Sequence, residues 1–407
     1  MSTLQAMCLQ ALKAVCEGLD VPRVSEKRGD LNIYERPRIG LVGSQGAYGR
    51  WLCNFFESRM SLPVTGRDPH GDIGLTEHAL IESADVLIFC VPIRQTPFVI
   101  RHYIDEAAGI ERGQLWLDIT STKAAPVAAM LTSQAEVVGL HPMSAAPKSA
   151  TLRGRAMVVC EARLDKWRPW LERFLAATEA DCVRAEADRH DRVMALVQGM
   201  VHATHMAQAA VLRELAPTVG GVAGIRPFSS VGYELDMAVT RRILASNPAI
   251  YQDIQFENPY VATMLERLAA HIDGLRDLVR QGDDAARERM RETLLTQSRA
   301  YVGEQAVAEG SYAFERLGYL LADLREPRYI SVFLPLDRPG SLRALLSVFE
   351  QRAINLDSIH SSRSAEGELL FRIGVSRDGD GSVLRDAMQA IEAEGIGRVV
   401  EAASAGV

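Results

Sequence analysis

The stretch Arg38-Ile39-Gly40-Leu41-Val42-Gly43-Ser44-Gln45-Gly46-Ala47-Tyr48-Gly49-Arg50 decides how the first half of the chain is read. A short apolar strand runs into a glycine-rich turn, and an amphipathic helix follows to about Met60. In such a turn backbone N–H groups can approach a pyrophosphate, and the helix N-terminus stabilises its negative charge. The spacing is imperfect. With Gly46 and Gly49 as the last two glycines of G-x-G-x-x-G, the first falls on Ser44, and Gly43 stands one residue upstream. An ordinary tight turn is the competing reading, and the position between a buried strand and a helix weighs against it. The residues expected to line a dinucleotide are therefore Gly43, Ser44, Gln45, Gly46, Ala47, Tyr48 and Gly49. An acidic residue is expected about twenty residues further on. Asp68 lies 19 residues past Gly49, just after Val64-Thr65-Gly66-Arg67. A carboxylate there binds both ribose hydroxyls and repels a 2′-phosphate, which favours NAD. Arg67 beside it is a group that can receive that phosphate, and both residues can also be plain loop charges.

Outward from this turn, apolar strands at 86–91, 114–119 and 136–140 alternate with helical patterns at 77–83, 98–107 and 126–133. That alternation indicates a parallel, doubly wound sheet, which strands at 156–160 and 181–184 extend. After about Ala185 the strand signal stops and long helical patterns run to 324. At Glu326-Pro327 the period returns to two, and β-α-β-β-α-β follows over about eighty residues. The expected organisation is an N-terminal helical arm (1–36, with a helix at 4–18), a Rossmann-type α/β nucleotide-binding domain (37–185), an all-α substrate and dimerisation domain (186–325) and a ferredoxin-like α+β module (326–407).

The 407 residues are 47% hydrophobic and 24% charged, ample for several buried cores. With 52 acidic against 45 basic side chains the net charge is −7, which argues against a nucleic-acid partner and a polybasic membrane anchor. The longest apolar run, at 86–93, is too short to span a bilayer, and Glu17 and Asp20 spoil any signal peptide. Six cysteines without a C-x-x-C pair read as reduced thiols of a cytoplasmic protein. His202 and His205 lack the Cys or acidic companions of a metal site, so no metal is expected.

Polar clusters close three strands: Val91-Pro92-Ile93, Asp118-Ile119-Thr120-Ser121-Thr122-Lys123 and Gly139-Leu140-His141-Pro142-Met143. Doubly wound sheets place ligands at such strand ends. A lone histidine is more often structural, but His141 at a strand end behind a nucleotide loop is a candidate catalyst.

In this order, V-P-I, D-x-x-S-x-K and G-L-H-P-M behind a glycine loop resemble the prephenate dehydrogenases of tyrosine biosynthesis, nearest the dehydrogenase half of the enterobacterial bifunctional enzymes. The likeness continues through His190-Asp191, Gln198 with His202, and Arg242-Ile243-Leu244-Ala245-Ser246-Asn247-Pro248 with Tyr251, covering about 37–300. It implies oxidation of prephenate at its ring carbinol by NAD with loss of carbon dioxide, giving 4-hydroxyphenylpyruvate. It puts His141 as the base that takes the hydroxyl proton, a task suited to an imidazole of pKa about 6.5. Ser121 would bond the same hydroxyl and orient His141, and a simple helix N-cap is its other reading. Arg242 would hold the ring carboxylate with its planar fork. Gln198 and His202, one helical turn apart, would meet the substrate side chain, with Tyr251 at the pocket edge. Val91 and Pro92 would flank the cofactor. The sequence departs from the family after Met143, where Ser144-Ala145-Ala146-Pro147-Lys148 replaces the usual glycine with a hydroxyl or acidic residue, and Tyr48 stands where many relatives have methionine. The arm before Pro37 is too short for a mutase domain, so no chorismate mutase activity is expected.

Residues 336–363 resemble an ACT domain, which implies binding of an amino acid at a helix–strand junction. The residues for that ligand are Gly340, Ser341, Leu342, Asn355 and Leu356, and the implied role is feedback by tyrosine. Arogenate is an alternative substrate, and an inactive amino-acid sensor is a reading of another class. A hydroxyacid dehydrogenase with a catalytic lysine is disfavoured, because 186–324 contains no lysine. A helical domain apolar on several faces points to a homodimer.

Overall fold

Short Val/Ile/Leu runs bounded by glycine or proline become the central strands, since a strand covered on both faces is apolar throughout. The computed structural model describes residues 33–69, 71, 75–325, 329–335, 338–363, 369–376 and 381–403. The expected helix at 4–18, with Cys8 and Cys16, and the positions Leu336 and Asp337 lie outside the described residues.

The first region alternates β1 (Ile39–Val42), α1 (Ala47–Arg59), β2 (Val64–Arg67), α2 (Glu77–Ser83), β3 (Val86–Phe89), α3 (Thr96–Ala107), β4 (Leu115–Asp118), α4 (Ala124–Leu131) and β5 (Glu136–Pro142). It continues with β6 (Ala156–Arg163), α5 (Arg168–Thr178) and β7 (Asp181–Arg184). The seven strands lie in the order β2-β1-β3-β4-β5-β6-β7. Strands β1 to β5 are parallel, as expected, but β6 pairs antiparallel with β5. No helix intervenes between β5 and β6, so the returning chain runs backwards beside the strand it left. On one face α2 to α4 bury Leu80, Ile81, Ile100, Tyr103 and Met130 against Phe89 and Trp116. On the other, Phe56 of α1 meets Trp170 and Phe174 of α5, with ring centroids 6.3 and 5.1 Å away.

The helical region begins with α6 (Ala187–Met194), which passes without a break through a π-helical turn, Ala195–Met200, into α7 (Val201–Leu215). It then runs through α8 (Gly221–Ile225), α9 (Val231–Ala245), α10 (Pro248–Glu257), α11 (Val261–Gln281), α12 (Asp284–Met290), α13 (Gln297–Val302) and α14 (Glu304–Arg325). A last module follows as β8 (Tyr329–Leu334), α15 (Ser341–Gln351), β9 (Leu356–Arg363), β10 (Leu369–Val375), α16 (Gly381–Ala393) and β11 (Arg398–Ala403). Its antiparallel sheet has the order β11-β8-β10-β9. Alternate residues Ile330, Val332 and Leu334 of β8 pack on Leu345, Phe349 and Ile391 of the two helices. No helix among the described residues is long and apolar enough to cross a membrane.

Candidate active site

The glycine turn is built around backbone crowding. Gly43 has φ +85°, and a Cβ there would stand 2.6 Å from the Cys90 carbonyl oxygen. A Cβ on Gly49 would collide with the Gly43 carbonyl. Gly43 therefore takes the tight-turn role that the spacing assigned to Ser44. Ser44 is buried instead, and its Oγ has no hydrogen-bond partner. Gln45, Gly46 and Ala47 are exposed at the N-terminus of α1, which has no side-chain cap. An orphan hydroxyl and uncapped backbone donors behind a tight turn fit a pyrophosphate.

Asp68 is buried at the end of β2, where its Oδ2 accepts the Gln45 N–H at 3.1 Å. Arg67 turns away: its Nη2 pairs with Glu77 at 2.6 Å and its Nε donates to the Leu75 carbonyl at 2.9 Å. Beyond β3, Val91 is half-buried and Pro92 exposed. Arg94 N–H there donates to Asp253 of α10 at 3.1 Å, linking the cofactor side to the helical region. The hydroxyl of Tyr48 donates to the Ser144 carbonyl at 2.7 Å, three residues past His141.

His141 is buried at the end of β5. Its Nδ1 lies 2.9 Å from His190 Nε2, and His190 Nδ1 lies 2.7 Å from Asp191 Oδ1. Asp191 also accepts the backbone N–H groups of Lys123 (2.8 Å, Oδ1) and Ala124 (2.9 Å, Oδ2), at the start of α4. These contacts set the tautomers. A carboxylate only accepts, so His190 carries its proton on Nδ1 and offers the Nε2 lone pair. His141 must then donate from Nδ1, which leaves its Nε2 unprotonated. Gln198 Nε2 lies 3.4 Å from that atom, the arrangement of an amide donor on a lone pair. Burial first, then His190 and Lys123, hold the His141 pKa well below 6.5, so the ring is neutral.

Lys123 anchors the floor of the site. It is fully buried, paired with Asp118 Oδ2, and donates to the Leu140 carbonyl at 2.7 Å. Asp118 also accepts from the backbone N–H of Thr120 at 3.0 Å.

Gln198 sits within the π-helical turn and His202 just past it, so the structure brings Gln198 to His141. A π turn often marks a functional site, because it displaces side chains from the α-helical register. Gln198 Oε1 and His202 Nδ1 are both buried without a hydrogen-bond partner. Burial, then His205, lowers the His202 pKa. Tyr251 packs edge-on against the His202 ring, centroids 4.8 Å apart. Ser121 is half-buried and makes no hydrogen bond among the described residues, and it is not the N-cap of α4, where Lys123 stands. Arg242 is exposed near the end of α9 and forms no ion pair among the described residues. The sequence assigns no role to His190, Asp191, Asp118 and Lys123. An acid beside a histidine and a lysine closing an apolar strand were their only signals.

In the last module, Gly340 (φ +98°) precedes α15, with Ser341 and exposed Leu342 in its first turn. Asn355 is exposed before β9, where Leu356 begins the strand, and its carbonyl accepts the Ser376 N–H at 3.3 Å. Cys53, Cys90, Cys160 and Cys182 form no disulfide among the described residues.

Residues 71–163 match the nucleotide-binding domain of prephenate dehydrogenase, 186–296 its dimerization domain, and 328–395 the ACT domain. A probable arogenate/prephenate dehydrogenase of Methanocaldococcus jannaschii is 28% identical over 262 residues, 60% of this chain and 57% of that one. A T-protein of Enterobacter agglomerans is 28% identical over 253 residues, 62% of this chain and 64% of that one. The chain thus aligns with under two thirds of the length of either relative. The crystal structure of prephenate dehydrogenase from A. aeolicus, in complex with hydroxyphenyl propionate and NAD+, shares the fold. It superposes with a TM-score of 0.50 at 19% identity, over 64% of this chain and 97% of that one.

Proposed function

Because the chain belongs to the prephenate/arogenate dehydrogenase family, we propose that it oxidises and decarboxylates prephenate to 4-hydroxyphenylpyruvate with NAD. The observation that carries this reading is a buried, neutral His141 whose Nε2 faces Gln198, a side chain with an unpartnered amide oxygen. When bound, NAD supplies the hydride acceptor. The N-terminus of α1 and Ser44 would hold its pyrophosphate, and Asp68 its ribose. His141 takes the proton of the ring hydroxyl while the C–H bond breaks. As carbon dioxide leaves, the ring becomes aromatic and its oxygen takes a proton back, so the reaction releases no net proton.

Prephenate is favoured over arogenate on charge. The orphan Nδ1 of His202, on an imidazole whose pKa is lowered, can donate to a keto oxygen, whereas the orphan Oε1 of Gln198 only accepts and takes a donor. An ammonium in a buried pocket needs a carboxylate. NAD is favoured over NADP because Asp68 faces the glycine loop while Arg67 is committed to Glu77. Arg242 is assigned to the ring carboxylate and Ser121 to the ring hydroxyl, both on the family likeness. Tyrosine is the proposed ligand of Gly340, Ser341, Leu342, Asn355 and Leu356. The protein is proposed to be a cytoplasmic homodimer, its partner covering apolar surface such as Val211, Leu215 and Leu244, each over half exposed.

The test is NADH formation from prephenate against arogenate, with NAD against NADP, with and without millimolar tyrosine. Prephenate turnover with NAD that tyrosine suppresses is expected. Turnover of arogenate alone would move the substrate, and no turnover with any pairing would overturn the enzyme reading. If tyrosine neither binds nor inhibits, the regulatory reading fails.

A further inference from the structure

A strongly depressed basicity creates a problem for the proposed base. His141 lies in a buried cluster where burial, and after it the charge of Lys123, disfavour a cation. Holding a full positive charge on that ring during turnover is costly. Asp118 makes no hydrogen bond to His141: its Oδ2 engages Lys123 and Thr120, and its Oδ1 is without a hydrogen-bond partner. The remaining carboxylate of the cluster, that of Asp191, is reached from His141 only through His190.

We propose that His190 and Asp191 form a proton relay behind His141, which carries the positive charge while the substrate hydroxyl is oxidised. The inference rests on the function proposed above. In the forward step the substrate O–H bond breaks and an N–H bond forms on His141 Nε2. The His141 Nδ1–H bond breaks and an N–H bond forms on His190 Nε2. His141 is again neutral, and the His190 imidazolium, protonated on both nitrogens, lies 2.7 Å from the Asp191 carboxylate. The hydride goes to NAD. When carbon dioxide departs, the phenolate oxygen takes the proton from His141 Nε2, and the His190 Nε2 proton returns to His141 Nδ1. The charge thus moves from a site facing a lysine to one facing a carboxylate. That carboxylate is itself held by two backbone N–H groups at the start of α4. His190 is a positioning residue by contact, since it touches His141 rather than substrate.

The decisive variant is His190→Gln. A glutamine carbonyl can still accept the His141 Nδ1 proton and keep the ring oriented, but it cannot take up a proton. A relay worth one general acid–base step predicts a fall in kcat of about 100-fold, with KM for prephenate changed by less than about threefold. In mixtures of light and heavy water the wild type should show a curved dependence of kcat, for two moving protons, and the variant a straight line. Asp191→Asn should act in the same direction. Because Asp191 also holds the start of α4, its fold is checked first by circular dichroism. A His190→Gln enzyme within about threefold of wild-type kcat, or a straight line for the wild type, would overturn the relay. Nitrogen NMR of histidine-labelled protein gives a readout independent of turnover: both rings should carry the neutral-state proton on Nδ1. A proton on His141 Nε2 would refute the relay whatever the substrate proves to be. Absence of turnover by the wild type would instead refute the function.

Discussion

Replacing Lys123 with methionine isolates the buried charge on which the site floor rests. Lys123 and Asp118 are both 0% exposed, so water cannot solvate the carboxylate once its partner has gone. Breaking a buried pair on one side typically costs about 3–5 kcal/mol. For a domain of this size that corresponds to a fall in Tm of roughly 6–20 °C. The double variant Lys123→Met/Asp118→Asn removes both charges and should recover about 2 kcal/mol relative to the sum of the single changes. Thermal and urea unfolding of the four proteins measures the cycle. The effect should also reach the chemistry. Lys123 holds the carbonyl of Leu140, the residue before His141, and its charge depresses the His141 pKa. In Lys123→Met the acid limb of kcat/KM should therefore move up in pH. A single variant that costs less than about 1 kcal/mol, or a double equal to the sum of the singles, would refute the argument.

Other expectations are narrower. His141 keeps its neutral form below 6.5, so kcat/KM for prephenate should stay flat as pH falls through 6.5; facing groups are His190, Asp191, Lys123 and Gln198. The same depression makes stability fall with acidity, because the unfolded chain binds a proton that the native ring refuses. The loss at pH 5.5 is at most about 1.4 kcal/mol from this group, and His141→Asn should remove that slope in urea titrations. Gly49→Ala should raise KM for NAD at least about tenfold, because the new Cβ strikes the Gly43 carbonyl and the turn must open; an unchanged KM would refute the cradle. Glu77→Gln should release Arg67 and raise the NADP/NAD ratio of kcat/KM, measured side by side. Arg242→Ala should act on KM for prephenate more than on kcat, since the carboxylate it would hold leaves as a neutral molecule; a collapsed kcat at constant KM would contradict that role.

Local chemistry made much of this protein legible in its sequence. Apolar runs of strand length, glycine placement and the switch from alternating to helical and back to alternating patterns depend on neighbours within a few residues. They announced the nucleotide-binding sheet, the helical region and the small α+β module, together with the strand-end histidine. What joins distant segments was decided only by tertiary structure. His141 and His190 are 49 residues apart, and only packing of α6 against the end of β5 makes a chain of tautomers from them. The burial of Lys123 emerges only with its pairing to Asp118, because burial of a cation becomes tolerable only when a carboxylate is delivered to it. The reversal of β6 depended on whether the chain after Met143 formed a crossover helix, and a polar loop gives no periodicity from which to tell. Gln198 reaches His141 through a π-helical turn, a departure from the α register that no repeat of apolar residues encodes. The sequence by itself determined which elements form; the fold decided which charges meet, because electrostatic partners are set by distance in space.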